Sequence, residues 1–142
     1  MSDLPSLVIA QLAGTAPFVW VKGAREFGAA LQAPPVDKMP AAFVLPYAES
    51  YRPNARLNRL SQAGKEQVTI AVMVAVKPAI GADVHNPLAA PRDALVARLL
   101  GWQPESEHGE LEIVSGALTE AKPTHLTYQF VFQRDHTVAV TA

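Results

Sequence analysis

From Gln67 to Val76 the chain alternates strictly: Val68, Ile70, Val72, Val74 and Val76 are separated by Gln67, Thr69, Ala71, Met73 and Ala75. Successive side chains of an extended chain point to opposite faces, so a period of two specifies a strand with one wholly apolar face. Such a strand needs neighbours to pair with and an apolar layer to cover it. The segment Ala42-Phe43-Val44-Leu45-Pro46-Tyr47 is apolar at nearly every position, as expected of a strand covered on both sides. Leu111 to Val114 and Leu126 to Phe132 are strand-like, with Leu126, Tyr128, Phe130 and Phe132 on one buried face. The link from Thr119 to His125 is short enough to make these two an antiparallel pair. Phe18 to Val21 reads as a brief further strand.

Three segments carry helical spacing. Ser2 or Asp3 can cap a helix with Pro5 in its first turn and Leu4, Leu7, Val8 and Leu12 on one stripe, ending before Gly14. Ala24 to Gln32 forms a second, with Phe27 and Leu31 inward. A third begins at Pro91, places Leu95, Val96, Leu99 and Leu100 on its apolar side and closes at Gly101, where Trp102 can plug the gap between helix end and sheet. The order helix, strand, helix, strand, strand, helix, strand, strand predicts an α+β fold: a mainly antiparallel or mixed sheet with two to three helices on one face. Gln133 to Ala142 is read as a last strand or as a tail, 134–142, that orders on contact with a partner.

At 142 residues the whole chain, 1–142, suits a single domain, large enough to bury a core without disulfides. There is no cysteine, which removes thiolate metal sites and Cys nucleophiles. Twelve basic residues against thirteen acidic ones leave a formal charge of −1 and no field that gathers phosphates, so nucleic acid is not an expected partner. Neither a signal-peptide pattern nor a run near the roughly 20 apolar residues of a membrane span is seen, so a soluble protein is expected. The apolar fraction, 49%, is at the upper end for a domain, as when other subunits cover part of the surface.

Motifs for chemistry are sparse. His85, His108, His125 and His136 are too dispersed for a local metal motif, and no metal or cofactor is expected. Asp83 and His85 with Ser50 or Ser115 can be drawn as a hydrolytic triad, but no nucleophile elbow surrounds either serine, and turn residues explain the same letters. Glu105, Glu107, Glu110 and Glu112 read as solvated charge near an exposed edge. Ser50 to Glu66 reads as a long loop without period, and long loops are usually functional or disordered. Its Arg52, Arg56 and Arg59 are spaced to line one side of a helical turn against acidic groups of a partner; a plain solvated loop is the competing reading. Tyr51, Arg52, Asn54, Arg56, Asn58, Arg59 and Lys65 are the candidate interaction residues. Trp20, Trp102, Tyr47 and Tyr51 suit either interface anchors or core.

Several segments taken together resemble the phage tail terminator family, the small tail-completion proteins of long-tailed phages and prophages. The resemblance rests on Pro40 to Glu49, Gln67 to Val76, the helix with Ala94-Leu95 and Leu99-Leu100-Gly101-Trp102-Gln103-Pro104, and the pair Leu111 to Leu118 and Leu126 to Phe132, in matching order and spacing over about residues 3–133. It implies an α+β subunit without enzymatic activity. It further implies a homohexameric ring on the finished tail, ending tube growth and presenting a surface for head attachment. The implied partners are copies of itself, the major tail tube protein and head-tail connector proteins. The implied location is the virion tail, after assembly in the bacterial cytoplasm. A head-tail joining or neck protein is the near alternative, and a small α+β ligand-binding or hydrolytic domain the distant one.

Overall fold

The computed structural model describes residues 3–53, 61–76 and 86–139. Helix α1 spans Leu4–Leu12, strand β1 Trp20–Lys22, helix α2 Ala24–Gln32 and strand β2 Ala41–Tyr51. Strand β3 spans Ser61–Ala75, helix α3 Ala89–Leu99, strand β4 Glu112–Ala121 and strand β5 His125–Ala139. The five strands form one sheet in the order β1-β2-β3-β5-β4, antiparallel throughout except for the β1–β2 pair. The fold is α+β.

Alternation in β3 sorts its side chains as the period of two requires. Val68, Ile70, Val72 and Val74 join Ala42, Val44, Phe130 and Phe132 on one face, under Leu4, Val8 and Leu12 of α1 and Leu95 and Leu99 of α3. Ala71 and Met73 lie on the other, with Ala41 and Phe43 of β2 and Ala30 of α2. So α1 and α3 share one face while α2 covers part of the opposite one, which is why Ala41 to Val44 are buried on both sides. Asp3 caps α1, its Oδ1 accepting from the Ser6 N–H at 2.8 Å. That bond holds the Asp3 carboxyl below the ordinary carboxylate value.

The structure departs from the sequence reading in several places. Leu31 of α2 is half exposed; Ala30 is the buried residue and Phe27 packs at the edge of the cluster. Helix α3 starts two residues before Pro91, and Leu100 is also half exposed at its end, where Gly101 takes a left-handed φ of +79°. Both ends of the expected loop from Ser50 to Glu66 are strand, because β2 continues to Tyr51 and β3 begins at Ser61; residues 54–60 lie outside the described residues. Lys65 and Glu66 therefore lie inside the sheet, paired across to Ser50 and Glu49. Residues 133–139 take the strand alternative and complete β5. Strand β4 also outruns its expected end at Val114, reaching Ala121. Side-chain period missed these stretches because backbone pairing, not burial in the main core, sets their extent.

Candidate interaction surface

Strands β2, β3 and β5 project beyond the main core. The last apolar row on the α1/α3 face is Val68 opposite Phe132; the next row is Glu49, Glu66 and Arg134, and the one after is Tyr51, Gly64 and His136. Continuing the same period puts charged and aromatic polar groups where Phe130 and Phe132 would be followed by more core.

Arg134 is only 4% exposed and would be costly there without partners. Glu66 Oε1 accepts from its Nη2 at 2.9 Å and its Nε at 3.2 Å. Glu105 Oε1 lies 2.9 Å from Nη1, a charge contact rather than an aligned hydrogen bond. The turn containing Glu105 folds over this row. Its base is closed by backbone bonds between Gly101 or Trp102 and Leu111, and its returning limb is pinned by the Gly109 N–H donating to the Asp135 carbonyl at 2.8 Å. His136 is buried, with Nδ1 3.5 Å from Glu66 Oε1 and its ring 5.4 Å from Tyr51 and 6.0 Å from His108. Tyr51 reaches His136 across Gly64, where a Cβ would run into the Ser50 carbonyl and the Tyr51 ring. Partial burial, then the Glu49 charge and hydrogen bond and the Glu66 charge, hold the Tyr51 phenol above its ordinary value.

The opposite face of the projection is more exposed. Lys65 Nζ lies 3.1 Å from Asp135 Oδ1 and 3.8 Å from Glu112 Oε1, and Gln133 Nε2 donates to the same Glu112 oxygen at 2.6 Å. On the α1 side, a hollow of about 310 Å³ opens between Pro5 and the Pro46 to Glu49 stretch of β2, beside Glu66 and Gln67. The β2–β3 register shifts at that stretch.

Of the candidate residues, Tyr51 and Arg52 are exposed together at the end of the projection, with the Arg52 carbonyl accepting from Gln62 Nε2 at 2.8 Å. Lys65 lies on the opposite face and is bound to its acidic neighbours. Asn54, Arg56, Asn58 and Arg59 lie outside the described residues, and so do Asp83 and His85. Trp20 and Trp102 pack against the two core clusters, whereas Tyr47 is 63% exposed. The sequence reading missed Arg134, Glu66, Glu105 and His136 as a group. Their signal was the unbroken parity Phe130, Phe132, Arg134, His136.

Two clusters invite a chemical reading. Ligand atoms of Glu105, Glu107 and His108 lie within 4.8 Å of one another. Glu105 is already held by the Arg134 guanidinium, whose positive charge opposes a metal cation. Thr124 Oγ1, 3.0 Å from His125 Nδ1, and Glu120 Oε1, 2.9 Å from His125 Nε2, form a hydroxyl–imidazole–carboxylate chain. It spans the β4–β5 turn, which the Lys122 N–H also closes onto the His125 carbonyl. Its evident work is to lock that turn, with the imidazole 3% exposed.

Strand β4 forms one edge of the sheet, and Glu112 to Thr119 are exposed along its length. Among the described residues, the β4 edge and the charged projection are the surfaces that offer themselves for contact. The family model described as phage tail terminator protein matches residues 1–141. The chain belongs to the phage tail terminator family. It is thus a structural protein of phage tail completion, and the virion tail is its place. No curated protein matches the chain. No helix among the described residues is long and apolar enough to cross a membrane.

Proposed function

We propose that the chain caps the finished tail tube as a ring of identical subunits, six in number, ending tube growth and forming the surface on which the head connector docks. The supporting observation is the family match over residues 1–141, which takes in every strand and helix of the described residues. The reading also suits a sheet with an uncovered edge and an end that projects past its core, since a cyclic ring requires two different faces on every subunit. Its partners are copies of itself, the tube protein below and the connector above; assembly takes place in the host cytoplasm. The Tyr51 and Arg52 end of the projection is the surface assigned to these contacts.

Electron microscopy of tails assembled with and without the protein tests this. Overlong tubes in its absence are the expected result. Tubes of normal length that fail to join heads would instead assign it to the neck.

A further inference from the structure

The exposed edge of β4 is unlike the opposite edge. Strand β1 has three residues, one of them Lys22, which is an ordinary way to blunt an edge. Strand β4 has ten, and Ile113, Val114 and Leu118 are 40%, 46% and 52% exposed. An open strand edge presents N–H and C=O groups in a row, and what satisfies a row of that kind is another strand.

We infer that two copies of this chain pair through β4, antiparallel about a two-fold axis normal to the sheet at Ala117. Such an axis keeps both copies' faces in common, so only registers that match face to face are admissible. Pairing with β5 fixes those faces. Ile113, Gly116, Leu118 and Ala121 lie opposite Phe132, Phe130, Tyr128 and Leu126 on the α1/α3 face; Glu112, Ser115, Ala117 and Glu120 lie on the other. Val114 and Thr119 are the extra residues at the two register shifts. With the axis at Ala117, Ile113 meets Ala121 and Gly116 meets Leu118, each on its own face.

Two further features select this register. Glu112 comes opposite Lys122 of the second copy, twice by symmetry; Lys122 has no acidic partner among the described residues. Sliding by two residues to place Gly116 on the axis sets Glu112 against Glu120, a like-charge pair. The second feature is Gly116 itself. A Cβ there would lie 2.8 Å from Tyr128 Cε1 and 3.2 Å from Phe130 Cδ1, so the Tyr128 ring occupies the space above it. Leu118 of the second copy would come down on that ring, extending the apolar face from one sheet into the next. A two-fold contact differs from the head-to-tail contacts of a cyclic ring, so this pair is the form of the chain away from the tail.

The chain has no cysteine, so one introduced at Ala117 reports directly on the axis. Directly opposed antiparallel residues have Cα atoms about 4.5–5.5 Å apart, within the span of a disulfide. The purified protein is expected to have twice the 15.2 kDa chain mass in analytical ultracentrifugation. Ala117→Cys should cross-link on mild oxidation far more completely than Ser106→Cys in the exposed turn. Glu112→Lys or Lys122→Glu alone should weaken association about tenfold, from two weak ion pairs lost and two repulsions gained, and the double variant should restore it. Circular dichroism checks that each variant is folded. A single-chain mass, or equal cross-linking at residues 117 and 106, overturns the pairing. A six-chain mass without selective cross-linking at 117 also overturns it while leaving the ring reading standing.

Discussion

Removing the Arg134 side chain would leave Glu66 and Glu105, both partly buried, without their shared cation. Breaking a buried pair from one side costs about 3–5 kcal/mol, and partial exposure of the carboxylates argues for the lower end. Arg134→Ala is accordingly expected to lose about 3 kcal/mol in urea unfolding. Asp3 acts at the other end of the scale. As a helix cap its replacement by Ala should cost about 1 kcal/mol. The folded carboxyl titrates below its unfolded value of 3.8, so its contribution is complete above that pH and fades as pH falls through the folded value. The stability gap between wild type and Asp3→Ala should therefore close in acid, as measured by denaturation at a series of pH values.

Elements differ in how much a helix covers them. Phe132 on β5 is fully buried beneath α1 and α3, whereas Leu118 on β4 stands on the same face but 52% exposed. Phe132→Ala should cost about 3–5 kcal/mol, while Leu118→Ala should stay within about 0.5 kcal/mol in the isolated chain. That contrast, read from chemical denaturation at low concentration, also accounts for what the sequence disclosed. Val68 to Val74 announced a strand because α1 and α3 demand an apolar face there; α2 was found almost to the residue from its bounding Gly23 and its spacing. Beyond the apolar rows the buried positions are polar, as at Arg134 and His136, or absent, as along β4 from Glu112 to Thr119, so no hydrophobic period marks the strand. Hence Ser61 to Glu66 looked like loop, Ser115 to Leu118 carried no strand pattern, Thr119 to Ala121 were read as link although β4 runs through them, and the tail reading stayed open for residues now in β5. The charged group behind Tyr51 was hidden for a different reason: Arg134 and Glu105 are brought together by a turn folding over a sheet, and their separation in sequence carries no trace of that contact.

For the whole molecule, replacing Arg52, Arg56 and Arg59 together with Ala should leave the monomer folded and weaken ring closure or docking on tail tubes. Circular dichroism and tail-capping assays followed by microscopy check the two halves of that expectation, and unchanged capping would remove this segment from the interface. The rows past Val68 and Phe132 bear on how such docking is felt inside the subunit. They are joined to the body by three continuous strands and braced by the Glu66–Arg134–Glu105 ion cluster. A projection held in this way is a cantilever, and a load on Tyr51 is expected to pass along the β3–β5 ladder toward the helices.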